Sequence, residues 1–324
     1  MIVKEVPPSI YELLHVLSTG SVVTKISGKM LFAAVIALIA AIIQDDRIVG
    51  HVNEDDSSYA YSPFSALGIA ISLYLGFRNN SAYARWWEAR KALGAQLVHV
   101  RNLGRTLITM KVELNKRKRI LHLIGAHVNA FRTELRLDYD TNKEEIEDIK
   151  RFLNDNDIKY LSTQRNIAEA LLRMASEEIG DLYHNNFEKK NNGNNNLDSV
   201  LLVELNQIIA GLVLVQGICE RIAKTPLPYA YNLLVHRSTY LYILLAPFSL
   251  AVQMHYYVIL FNVIVTYTFF GLDEVTRQLE NPFGNAPYCV ALSAMSTTCE
   301  ISIAEALGEV PPPALKIDDH GLLM

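Results

Sequence analysis

Residues 62–91 read SPFSALGIAISLYLGFRNNSAYARWWEARK. The run Pro63–Phe77 carries no charge and turns at Arg78 into a polar, Arg-rich helical segment. Two stripes run along it at helical spacing. Gly68, Ser72 and Gly76 fall at i, i+4, i+8 and are all small. Ile69, Leu73 and Phe77 repeat the spacing one position on and are all large and apolar. In a membrane a small stripe lets a neighbouring helix approach closely. The large stripe, about 100° round the same helix, is then free to face a shared axis. Ordinary lipid-facing or core side chains would show the same spacing.

The 324 residues are half hydrophobic and one fifth charged, with a net charge of −4. That balance offers no bulk basicity for nucleic acid. Mean hydropathy above zero is high for a soluble chain and low for one buried wholly in lipid, so the charges must be segregated. Four apolar runs hold none of them: Met30–Ile43, Pro63–Phe77, and two within Tyr240–Gly271, with Gln253, Met254 and His255 as the expected turn. Each is about 14–17 residues, short of the roughly 20 that a hydrocarbon core demands. Yet they are apolar all round rather than on one face, and their ends run on into helical polar segments. Residues 1–28 lack the apolar centre of a cleavable signal.

Lys and Arg set the orientation. Gln44–Tyr61 holds Arg47 against Asp45, Asp46, Glu54, Asp55 and Asp56, whereas Arg78–Arg237 holds 24 of the 30 basic residues. Four crossings with both termini in the cytoplasm satisfy this pattern. The expected layout is a cytosolic segment 1–28, two membrane helices with an acidic outer loop in 29–77, and a cytosolic helical domain in 78–237. Two further membrane helices follow in 238–272, then a cytosolic segment 273–324.

Within the cytosolic part, Leu93, Leu97, Val100, Leu103, Leu107 and Met110 recur at helical spacing. So do Ile167, Ala170, Leu171, Met174 and Ile179. Lys116–Arg119 reads as a solvated basic face or an inner-leaflet contact, and Asp138–Asp157 as an exposed acidic stretch. Asn191–Asn196 reads as a polar breaker, and Thr225-Pro-Leu-Pro228 as the stop of a long apolar helix, Leu197–Ile222. No strand pattern competes, and the class is all-α.

No enzyme constellation emerges. His122 and His127 are five apart, not the i, i+4 of two ligands on one helix face. No phosphate loop or nucleophile elbow is present. Cys219, Cys289 and Cys299 lack metal-ligand spacing and form no even disulfide set. No catalytic residue, metal or cofactor is expected. The four runs contain no Asp, Glu, Lys or Arg. Secondary transporters usually carry such a group or a broken helix near midplane; Pro247 could break the third run, but no charge accompanies it, which counts against that reading. A passive pore needs only a constriction that dewets and polar groups beside it. Ile69, Leu73 and Phe77 would form the neck, with Asn79, Asn80 and Ser81 a polar ring beneath. A membrane-anchored scaffold without flux is the remaining rival.

GFRNNSAYARWWEARKALG (residues 76–94), with SPFSALGIAISLYL before it, resembles the bacterial branch of the bestrophin family. TPLPYAY at 225–231 and LENPFG at 279–284 stand in the order that family has them, and the resemblance covers about residues 8–310. It implies a homopentameric channel in the lipid bilayer of the bacterial inner membrane, with one axial pore for small inorganic ions, mostly anions such as chloride. It also implies that the neck is lined at Ile69, Leu73 and Phe77. A second, cytosolic aperture would fall at Val200, with Leu201 competing. Animal members bind calcium through acidic residues after the NPFG motif, but here Asn285, Ala286, Pro287 and Tyr288 follow, which puts a calcium switch in doubt. The acidic outer residues would favour cations and the basic interior anions, so cation conduction stays open.

Overall fold

The computed structural model describes residues 22–44, 54–136, 143–189, 195–286 and 288–316, and every regular element among them is helical. In chain order these are α1 (Val22–Ile43), α2 (Glu54–Thr109), α3 (Leu114–Arg136), α4 (Lys143–Lys150), α5 (Asp155–Leu161), α6 (Ile167–Lys189), α7 (Asn195–Lys224), α8 (Tyr229–Met254), α9 (Tyr257–Glu280) and α10 (Leu292–Leu307). The described residues divide into two compact units: 22–86 with Pro226–Asn281, and Trp87–Thr225 with 282–316.

The first unit contains all four predicted apolar runs. Its helices outlast them: α1 has 22 residues and α2 has 56, about 33 Å and 84 Å at 1.5 Å per residue. The short runs are therefore apolar centres of helices long enough to cross a bilayer. Helix α1 shows how the unit packs. Its small residues Ala33, Ala37, Ala40 and Ala41 are buried against Ile243, Ala251, Val258 and Phe270 of α8 and α9. Its large residues Leu31, Phe32, Val35, Leu38 and Ile42 are exposed. Small inside and large outside is the arrangement that lipid permits, because outward Leu and Phe lose nothing in hydrocarbon while small residues let backbones close up. A buried amide adds a directional tie, Asn262 Nδ2 donating to the Ala33 carbonyl at 2.9 Å.

Two expectations need correction here. The turn between the last two membrane helices is His255–Tyr256; Gln253 and Met254 still belong to α8. His255 takes a positive φ of 45°. Pro247, a candidate helix breaker, sits buried inside an unbroken α8.

In the second unit, α3 is the centre, buried from Ile120 to Leu135 on nearly every side. It packs on α4, α6, α7 and α10. Polar ties lock these contacts. Asn129 Nδ2 donates to Glu300 at 2.6 Å, Arg132 bonds Asp148 at 2.9 Å and Ser296 at 3.2 Å, and Arg151 pairs with Glu300. Helix α10 stops at Gly308, whose φ of 73° is the left-handed cap that glycine adopts without a Cβ penalty. The acidic stretch is not all exposed, since Asp157 is buried. The Lys116–Arg119 cluster is not simply solvated: Lys118 bonds Glu309 at 2.6 Å, and Arg119 bonds Asp157 and Glu178.

Length and composition alone single out α1, Val200–Lys224 of α7, α8 and α9 as membrane spans. The segment in α7 belongs to the second unit. Its buried residues Leu205, Ile208, Leu212, Val215, Cys219 and Ile222 recur every three or four positions, and the helix packs on α6 and α3. That stripe lies against the bundle, while Val200, Val203, Val213 and Leu214 of the same helix stay exposed. The apolar part of α2, short and followed by charges, lies in the first unit.

Candidate functional site

The apolar part of α2 has two faces. Ile71 and Leu75 are buried with Val235, against Tyr231, Tyr242, Phe269 and Leu272 of α8 and α9. Ile69, Leu73 and Phe77 lie on the far side, 71%, 57% and 54% exposed. The chain thus presents three large apolar side chains, one per turn, on a face that no described helix covers. Tyr74 is also exposed.

The small stripe splits. A Cβ on Gly68 would come within 3.0 Å of the Tyr242 hydroxyl, so this glycine admits α8 of the same subunit. Ser72 turns its hydroxyl back onto the Gly68 carbonyl at 2.8 Å. A Cβ on Gly76 would meet nothing within 4 Å among the described residues.

The three polar residues below the apolar stripe also diverge. Asn80 and Ser81 are exposed, and Ser81 donates to the Phe77 carbonyl at 3.0 Å. Asn79 is turned toward α9, where its Oδ1 accepts from Thr276 Oγ1 at 3.3 Å. In the second unit, Val200 is 63% exposed near the start of α7. Leu201 lines a polar cleft of about 330 Å³ with Asn102, Arg105, Thr106, Thr109 and Glu204.

Sequence reasoning missed a buried charge cluster next to the apolar stripe. The Arg78 guanidinium, 4% exposed, pairs with Asp273 and reaches Glu280 at 3.6 Å. His236 Nδ1 lies 3.3 Å from the other Asp273 oxygen. Glu280 also accepts from the Leu227 N–H at 3.2 Å and from Asn232 Nδ2 at 3.4 Å, and its carbonyl accepts from Arg85 Nε at 3.4 Å. The available signal was two carboxylates at i, i+7 at the end of the last apolar run, opposite an Arg that directly follows the stripe.

After Glu280 the chain turns through Asn281-Pro282-Phe283-Gly284. Phe283 is fully buried, and Pro282 O accepts from the Val290 N–H at 2.8 Å. Asn285, Ala286 and Tyr288 offer no carboxylate, so this donor set does not fit a calcium clasp. Among the described residues no three His, Cys, Asp or Glu side chains converge on a metal-sized site.

Residues 1–305 match the sequence family described as Bacterial/Fungal Bestrophin protein. The chain belongs to the bestrophin family. Among relatives, it is 34% identical over 306 residues to a voltage-dependent anion channel-forming protein of Mesorhizobium japonicum, covering 91% of this chain and 89% of the relative. It is 31% identical over 301 residues to a protein of the same description from Escherichia coli K12, covering 93% of each. The crystal structure of a bacterial bestrophin homologue from Klebsiella pneumoniae superposes with a TM-score of 0.76 at 30% identity, over 88% of this chain and all of that one. This bestrophin therefore shares both sequence and fold with its family along nearly its full length.

Proposed function

We propose that five copies of this chain close a ring in the bacterial inner membrane, both termini in the cytoplasm, and pass small inorganic anions such as chloride along the shared axis. The exposed stripe Ile69, Leu73 and Phe77 carries the reading. Its helix is anchored on the opposite face by Ile71 and Leu75, so five copies can bring the stripe together without unfolding the subunit. Stacked apolar rings hold little water and form a constriction without charge. Asn80 and Ser81 continue on exposed positions below, and Val200 or Leu201 would form the cytosolic aperture. The names of the relatives support anions over cations, and the excess of basic residues in Arg78–Arg237 supports the orientation.

Purified protein in liposomes tests this with ion flux measured under two salts. Chloride flux that persists when potassium is replaced by an impermeant cation supports the reading. Flux that follows the cation instead points to a cation channel of the same fold. No flux with either salt overturns the channel.

A further inference from the structure

We propose that Arg78, Asp273 and Glu280 are positioning residues of the pore: a clamp that sets the rotation of α2 about its own axis and so aims the neck side chains. The proposal rests on the neck reading above. Arg78 follows Phe77 directly, so any turn of its backbone turns the neck with it. Its guanidinium is held from two points two turns apart on α9, at Asp273 and Glu280. Between them Thr276 bonds Asn79, and one turn beyond, Arg85 bonds the Glu280 carbonyl. Residues 78, 79 and 85 of α2 thus follow 273, 276 and 280 of α9 in register. A planar guanidinium with a fixed fork resists rotation where an ammonium would not.

Glu280 extends the clamp. One carboxylate oxygen faces Arg78, while the other takes the Leu227 N–H and the Asn232 amide, at the bend before α8 and in its first turn. The same side chain therefore ties the neck helix, the last membrane helix and the Pro226–Pro228 bend. Arg78 and both carboxylates are nearly closed to water, so the ties are short of competing solvent. Such a clamp leaves assembly to other surfaces and acts only on where Ile69, Leu73 and Phe77 point.

Halide flux is measured in liposomes for Glu280→Gln, Asp273→Asn and Arg78→Lys, each in the native neck and in a neck with Ile69, Leu73 and Phe77 changed to Ala. Native mass is measured for all. The clamp predicts rings of parental mass, flux raised at least fivefold in the native neck, and less than a twofold effect in the Ala neck, where nothing is left to aim. Parental flux from the three variants overturns the clamp. So does an equal rise in both necks, which means general loosening, and so does loss of the ring in all three variants, which means a folding role. If the Ala neck itself conducts no better than the parent, it is the neck reading that fails.

Discussion

His127 Nδ1 lies 3.0 Å from the carbonyl oxygen of Ala168, and both residues are closed to water. The carbonyl only accepts, so the imidazole is the Nδ1–H tautomer. Burial pushes its pKa down to about 4, although the carbonyl favours the protonated form. The folded state resists a proton that the unfolded chain takes up near pH 6.5. Stability is therefore full above pH 6.5 and declines as the pH falls toward 4, by roughly 3 kcal/mol. Burial lowers His99 and His122 as well, in the same direction. In detergent, the apparent melting temperature should drop between pH 7 and pH 4.5, and His127→Gln should flatten part of that drop.

Asp157 acts twice. It closes the capping box of α5, taking the Asn154 N–H at 3.2 Å, and it takes both terminal nitrogens of Arg119 at 2.5 and 2.8 Å. Burial alone would raise this carboxyl; Arg119 and the Asn154 N–H hold it below its ordinary value. Its contribution is thus present above the ordinary carboxylate range and lost as pH falls through the lowered pKa. Asp157→Asn should cost about 2 kcal/mol at pH 7, read as a lower melting temperature and faster proteolysis between α3 and α6.

The two glycines of the small stripe should separate on substitution. Gly68→Leu would drive a side chain into the Tyr242 ring, so the subunit itself should lose stability by about 1–3 kcal/mol. A Cβ at Gly76 meets nothing within 4 Å among the described residues, so Gly76→Leu has open space to point into. It should leave the subunit folded yet weaken the ring, visible as a shift of native mass toward smaller species. Equal behaviour of the two variants would remove the reason for assigning Gly76 to an interface between copies.

What sequence could reveal here follows from periodicity. All-round apolar runs and one-sided stripes are local patterns, so α1, the apolar stripe of α2 and the core faces of α3, α6 and α7 were readable without neighbours. Helix ends were less so, because Tyr229–Arg237 and Leu272–Glu280 continue helical hydrogen bonding past the apolar runs. Pro247 misled because burial between packed helices keeps α8 intact around one missing N–H. The Arg78 cluster was invisible for a different reason. Its members stand far apart in sequence, and each alone looks like an ordinary interfacial charge. Asn79 shows the same limit: next to Asn80 in sequence, it faces α9.

Calcium should not control this channel. Calcium takes six to eight oxygens, several from carboxylates, and the residues after Gly284 supply none of the latter. Glu280, the one carboxylate beside the motif, is already held by Arg78, Leu227 and Asn232. Flux in liposomes at neutral pH should be the same with calcium and with chelator. Flux lost on chelation and restored by calcium would place a site elsewhere in the ring.

The neck gives the sharpest prediction. Five copies of Ile69, Leu73 and Phe77 would stack as three apolar rings about 5.4 Å apart, and such rings oppose ion entry by excluding water. Changing all three to Ala widens the passage and removes side chains that are exposed in the subunit, so flux should rise strongly with little loss of stability. The control is on the same helix. Ile71 and Leu75 are core residues, and trimming each to Ala should cost about 2–5 kcal/mol without raising flux per assembled ring. Tyr74→Ala, exposed but about 100° away from Leu73, should do neither. A triple Ala ring that assembles normally and conducts no better than the parent removes these residues from the axis. An equal rise from the Ile71 and Leu75 variants would do the same, because it would show that flux reports a loosened membrane unit rather than a wider neck.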